Sequence, residues 1–320
     1  MKDLDYAFAV GRVRANEYKL LSNQELQALI SANDADEILR RISEKGYDIS
    51  LSANDMFNKA ESDLWSFMKE ILPLGHELDA LIIKNDFYNL KVALKCTFSA
   101  DDAHSFFSRV SVYEPDIILE AVTKRRFELL PECLRSVAQE ACDILTRTRS
   151  GQRADIVIDR ASIEATVDLA IQSKSPLLIK LCKALEDFTA IKIAYRSAMT
   201  RKSLAFAEKA IPKCDRLDRG ELIKAALVSG EAIIEYLAAH SFTEAAECLE
   251  SSAAEFERYC DDKLTEYVEC GKLTPFGVDP IIAYFVAKQA EILSLRIILT
   301  AKQNSMSDEI ITKRVRKLYV

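Results

Sequence analysis

The chain has 320 residues, 49% of them hydrophobic, and sets 43 Lys and Arg against 50 Asp and Glu for a formal net charge of −7. That balance excludes a protein that envelops nucleic acid by neutralising phosphates, and no run of about 18 apolar residues is present to span a bilayer. With only eight Gly and seven Pro, helix is favoured almost throughout. A length beyond roughly 250 to 300 residues predicts division into units.

In chain order, Asp5 to Leu21 pairs an apolar series (Tyr6, Val10, Val13, Tyr18, Leu21) with Arg12, Arg14 and Lys19 and reads as helix. It ends at Ser22-Asn23, a cap for the helix that continues through Leu26, Leu29 and Ile30. A short module follows, Asp36 to Ile42 closed by Gly46-Tyr47. It recurs as Asp116 to Val122 closed by Phe127, and as Glu231 to Leu237 closed by Phe242. Each places an acid, an aliphatic pair and a further aliphatic on one helical face and docks its tail with an aromatic.

A longer pattern accompanies the modules. Asn85 to Lys95, NDFYNLKVALK, sets Phe87, Leu90 and Leu94 on one stripe and Tyr88, Lys91 and Lys95 on its neighbour. Glu186 to Arg196, EDFTAIKIAYR, repeats it 101 residues on, with Asp187, Phe188, Lys192 and Arg196 in the places of Asp86, Phe87, Lys91 and Lys95. A looser copy, Ala290 to Leu299, puts Arg296 100 residues after Arg196. The remaining text is helical at Phe57 to Leu72, Leu129 to Thr146, Ile156 to Ile171, Leu204 to Ala210 and Ala245 to Val268. It breaks at Pro73 with Gly75, Thr148 to Arg153, Ser173 to Pro176, Pro212 and Gly271 to Pro280. These observations predict an all-α body of three helical thirds, residues 1–105, 106–205 and 206–320, a pseudo-threefold repeat around a central cavity.

Chemistry is sparse. There is no GxxxxGK[ST] or GxGxxG loop, no HExxH, no CxxC and no GxSxG elbow. His76, His104 and His240 lack a second ligand at metal spacing, and the eight cysteines read as small core residues with reduced thiols in a cytosolic protein. Asp79 with Asp86, or Asp155 with Asp159, could form an acid/base pair, but on a helical surface such carboxylates are solvated or paired with Lys. No catalytic, cofactor or metal site is expected, and the chain reads as a non-enzyme.

The cations are the better lead. Lys91 with Lys95, and Lys192 with Arg196, are like charges one turn apart, an arrangement that costs a few tenths of a kcal/mol in an isolated helix. Two readings are open: solvent or carboxylates of an adjacent helix offset the repulsion, or three helices present cations to one partner in a shared socket. The terminal Lys313 to Lys317 run, KRVRK, likewise reads as a headgroup-binding patch or as cations favoured by a helix C-terminus.

At the C-terminal end, Asp279-Pro280 opens a long helix with the run Pro-x3-Tyr-x2-AK-x2-E-x3-LR-x2-L from Pro280 to Leu299, and the chain finishes RKLYV. Together with YAFAVGRVRANEYKLL at Tyr6 to Leu21 and the two NDFYNLKVALK-type helices, this order of motifs resembles the C subunit of vacuolar-type (V/A-type) ATPases and ATP synthases, the counterpart of the d subunit of eukaryotic V-ATPases. Gln289 stands where that family usually has Glu. The resemblance implies an all-helical, pseudo-threefold, funnel-shaped component without an active site. Such a component would sit at the cytoplasmic face of the membrane on the proteolipid ring, touching the membrane only through the complex. Its cavity would receive the central shaft, coupling ATP hydrolysis or synthesis to H+ or Na+ transport. In this chain the socket would involve Asp86, Asn89, Lys91, Lys95, Asp187, Lys192, Arg196, Glu291 and Arg296. The alternative is a generic helical-repeat adaptor for cytosolic proteins.

Overall fold

Short polar side chains set where the helices begin. Ser22 accepts from the Glu25 backbone N–H while the Glu25 carboxylate accepts from the Ser22 N–H, closing a capping box. Asp34, Ser52, Ser175, Asp218, Ser229 and Ser252 each accept from a first-turn N–H in the same manner. The computed structural model describes residues 3–99 and 102–320. Among the described residues all regular structure is helical, and no helix is long and apolar enough to cross a membrane.

The chain divides into two units, one formed by Met1–Glu77 with Thr243–Val320 and the other by Leu78–Phe242. The first segment of unit 1 contributes α1 (Ala7–Glu17), α2 (Asn23–Ile30), α3 (Ala35–Ser43) and α4 (Ala53–Ile71). Unit 2 then supplies α5 (Asp79–Ile82), α6 (Lys84–Ser99), α7 (Pro115–Thr123), α8 (Glu132–Thr148), α9 (Gly151–Ser173), α10 (Pro176–Met199), α11 (Leu204–Ala210), α12 (Arg219–Val228) and α13 (Gly230–Ala239). The chain returns to unit 1 for α14 (Thr243–Ser251), α15 (Ala253–Val268), α16 (Asp279–Gln303) and α17 (Asp308–Arg314).

Unit 1 closes on itself by packing its first and last segments into one core, where Leu26, Ile38 and Phe57 meet Leu295, Ile298 and Ile311. In unit 2, Phe87, Leu90 and Leu94 of α6 meet Ile118, Val137 and Ile158. Each such side chain, fully buried, contributes about 1.5 to 3 kcal/mol over leaving it in water.

The three short modules fall on α3, α7 and α13 and end alike. A residue in the left-handed region (Gly46, Arg125, Ser241) turns the chain. The next N–H then reaches back five residues, Tyr47 to Ile42, Arg126 to Ala121 and Phe242 to Leu237, the long bond of a Schellman motif. In the middle module this register places Arg126, not Phe127, where Tyr47 and Phe242 stand.

Several expectations are corrected. Ala245 to Val268 is two helices, because Ser252 leaves helical geometry (φ −171°) to accept from Glu255 N–H and start α15. Helices α5 and α12 add to those expected from the sequence pattern. Cys270 is exposed, while Cys96, Cys142, Cys182 and Cys260 are buried. Of the terminal cations, Lys313 and Arg314 lie in the last turn of α17. Arg316 and Lys317 lie beyond it and are held by Asp261 (2.7 Å) and Glu269 (3.1 Å), so the helix-end explanation covers only the first two.

Candidate functional site

Helices α6, α10 and α16 each carry a buried acid on a largely apolar face, in the first turn of α6 and near the middle of α10 and α16. Asp86 accepts from the backbone N–H groups of Val112 (3.0 Å) and Tyr113 (2.8 Å). One turn on, Asn89 grips Ser108 at both ends: its Oδ1 accepts from the Ser108 N–H at 2.8 Å and its Nδ2 donates to the Ser108 carbonyl at 3.1 Å. The two side chains fix the loop that leads into α7.

Asp187 does the same for the loop before α12. It accepts from the N–H of Asp215 (2.8 Å) and Arg216 (3.3 Å) and from Arg216 Nε (3.1 Å). The Arg216 guanidinium in turn lies over the Phe242 ring, 4.4 Å from its centroid, and so links the acid to the aromatic that closes the third module. In α16 the acid stands one turn further along than the 100-residue offset predicts, at Glu291, because Ala287 occupies the expected place. Glu291 accepts from the Leu21 N–H (2.6 Å) and the Tyr47 hydroxyl (2.8 Å) and pairs with Lys288. Thus the acid of each long helix anchors a loop of its own unit: Asp86 the loop that leads into the α7 module, and Asp187 and Glu291 the stretches that open α12 and α2, one helix ahead of the α13 and α3 modules, with Glu291 also holding the aromatic that closes α3.

Burial raises the energy of the ionised forms. It pushes the Asp86 carboxyl up to about 6 against the pull of the two N–H donors, with Asp79 adding a small push in the same direction. Glu186, which the sequence did not single out, is pushed up to about 7, first by burial and then by Asp187, Asp215 and Glu164. Burial, followed by the charge of Glu291, raises the Tyr47 phenol well above its ordinary range, so it stays a donor.

The cations lie on a neighbouring stripe of the same helices. Lys91 pairs with Asp159, and Lys95 pairs with Asp155 at 2.9 Å, both on α9. Asp155 and Asp159, one of the two candidate acid/base pairs, therefore neutralise the lysines of α6, whereas Asp86 of the other is neither solvated nor, among the described residues, paired with Lys, but buried and held by backbone N–H groups. Arg296 pairs with Glu61 on α4 at 3.1 Å, its guanidinium 5.3 Å from the Phe57 ring centroid. Lys192 is half-buried and Arg196 exposed; neither has a carboxylate within ion-pair distance among the described residues.

The nine residues singled out from sequence thus separate into two sets. Asp86, Asn89, Asp187 and Glu291 are buried and turned onto their own chain, while Lys91, Lys95, Lys192, Arg196 and Arg296 reach partly or fully exposed faces. Among the described residues no group of three or more His, Cys, Asp or Glu could hold a metal ion.

A family model described as the ATP synthase (C/AC39) subunit matches residues 9–314. The chain is similar to the C subunit of the V-type sodium ATPase of Enterococcus hirae, 22% identical over 321 residues that cover 96% of this chain and 97% of the relative. It is also similar to the C subunit of the A-type ATP synthase of Haloquadratum walsbyi, 22% identical over 341 residues that cover 94% of this chain and 95% of that one.

Proposed function

Because the chain belongs to the ATP synthase (C/AC39) subunit family, we propose that it is the non-catalytic coupling component of a V/A-type rotary ATPase. In this role it joins the central shaft to the membrane proteolipid ring, so that ATP hydrolysis or synthesis in the head is coupled to H+ or Na+ movement. It works at the cytoplasmic face of the membrane and touches the bilayer only through the complex. The family match across almost the whole chain is the observation that carries this reading.

Transmission of torque requires an adaptor whose helices and loops do not slip. α10 has 24 residues and α16 has 25, about 36 to 38 Å at 1.5 Å per residue, long enough to pass force across a domain. The buried acids Asp86, Asp187 and Glu291, with Asn89, tie loops to α6, α10 and α16 through hydrogen bonds that cost more to break in an apolar interior than at a surface. Their recurrence supports three helical thirds, 1–105, 106–205 and 206–320, arranged pseudo-threefold around a cavity that takes the shaft. Lys91, Lys95, Lys192, Arg196 and Arg296 line that socket, with Lys192 and Arg196 supplying its unneutralised charge because the other three are paired within the chain, and the acids and Asn89 brace it from behind.

The test is depletion and add-back in membrane vesicles. Without this chain, the head is expected to retain ATP hydrolysis while ATP-driven ion uptake is lost; adding the purified chain restores uptake. Full uptake in its absence would overturn the proposal.

A further inference from the structure

We infer that the Lys192–Arg196 face of α10 is the docking site for an acidic helix of a partner, one that carries two carboxylates a turn apart and lies antiparallel to α10. The inference rests on the coupling role only for taking the central shaft as the partner; its chemistry comes from within the chain.

Unit 2 already contains the template. On α6 the cations ascend from Lys91 to Lys95, while their partners on α9 descend from Asp159 to Asp155. Two antiparallel helices are thereby joined by a pair of ion bridges one turn apart. α10 repeats the cation pair 101 residues on, without a described carboxylate to meet it. In the third copy Arg296 has Glu61, and Ile292 and Leu299 on either side of it are buried. Only the second copy leaves its cations unneutralised among the described residues.

The shape of the face specifies a helix. Leu185, Thr189, Lys192, Arg196 and Met199 follow one another at intervals of four, three, four and three, the spacing of a coiled-coil seam. None of the five is buried, and Met199 is 62% exposed, whereas Phe188, Ile191 and Ala194 of the same helix are within the core. A second helix laid along that seam sets apolar side chains against Leu185 and Met199 and carboxylates against the two cations between them. Charge complementarity selects its sign, and like charges one turn apart on α10 gain most from such a partner.

The test uses the intact chain and the purified central-shaft proteins, with affinity measured by calorimetry at low and moderate salt. The expected result is at least a tenfold rise in Kd for Lys192→Glu/Arg196→Glu at unchanged helicity. Wild-type binding should weaken as salt rises, and binding should recover when a pair of shaft carboxylates one turn apart is reversed to Lys. Should the reversed variant lose helicity, Lys192→Gln/Arg196→Gln replaces it and is expected to abolish most of the salt dependence. Unchanged affinity and salt dependence in a folded variant would overturn this inference and leave the coupling role standing. A wild-type chain that binds no shaft protein would overturn the coupling role, and with it the assignment of this face to the shaft.

Discussion

Replacing Glu291 by Ala, alone and with Tyr47→Phe, measures what a buried acid contributes to the long helices. Glu291 is 1% exposed and serves the Leu21 N–H at 2.6 Å, the Tyr47 hydroxyl at 2.8 Å and the Lys288 ammonium. Truncation leaves a buried donor on Leu21, another on Tyr47, and a half-buried cation without its counter-charge. At about 1 to 3 kcal/mol for each buried unsatisfied group, the expected loss is about 3 to 5 kcal/mol, the range seen when one partner of a buried pair is removed. Tyr47→Phe deletes one donor and leaves Glu291 two others, for a loss of about 1 kcal/mol.

The double variant no longer strands the Tyr47 hydroxyl. Its cost therefore falls short of the sum by about 1 to 2 kcal/mol, the coupling expected of residues in contact. Trp65, the only tryptophan of the chain, is buried in α4 of unit 1, so its fluorescence in urea reads the unfolding of the unit that contains Glu291. Additivity within about 0.3 kcal/mol, or a loss below about 1 kcal/mol for Glu291→Ala, would refute the argument that this carboxylate satisfies the surrounding donors.

Other perturbations probe different physics. Burial places the Glu186 carboxyl at about 7 rather than its ordinary 4.5, so the folded chain holds an extra proton between those values; that contribution to stability is present below the window and lost as pH rises through it. Glu186→Gln is expected to be more stable than wild type above pH 7, by up to about 3 kcal/mol at 1.36 kcal/mol per pH unit. The advantage should shrink toward pH 4.5 when both are followed by circular dichroism; an offset independent of pH would contradict the assignment. At Gly271 a Cβ would overlap the Ala283 Cβ and lie 3.1 Å from the Asp279 carbonyl. Gly271→Ala should therefore cost about 1 to 3 kcal/mol by Trp65 fluorescence, and a neutral result would mean that the turn before α16 yields freely. Lys91→Ala and Lys95→Ala remove partly exposed pairs and should each cost less than about 1 kcal/mol in thermal unfolding, well below the effect of losing Glu291.

Local patterns were legible because they are local. The three modules fall on α3, α7 and α13, Ser22 caps α2 as its sequence indicates, and the NDFYNLKVALK-type segments lie inside α6, α10 and α16. The start of α15 was available too: Ser252 and Glu255 have capping-box spacing, but the apolar residues on both sides made Ala245 to Val268 look continuous. Helix α12 was hidden by Gly220, although Asp218 and Glu221 carry the signal of its cap. What no window reveals is burial of charge. Asp86 and Asp155 are both aspartates on helices, and only the return of the chain at Val112 and Tyr113, 26 and 27 residues later, makes the first an interior anchor. The second becomes the counter-ion of Lys95 only because α9 packs antiparallel to α6.

That distinction bears on how a repeated sequence should be turned into a site. The copies of a motif share helix propensity and an apolar stripe, so they fold alike; what surrounds each copy differs, and the surroundings decide whether a cation is spent within the chain. Lys91 and Lys95 are matched by two aspartates and Arg296 by a glutamate, which removes most of their attraction for an outside partner at physiological salt. Lys192 and Arg196 keep theirs. Of the three helices proposed to line a socket, α10 is therefore the one whose cations remain available to an acidic partner.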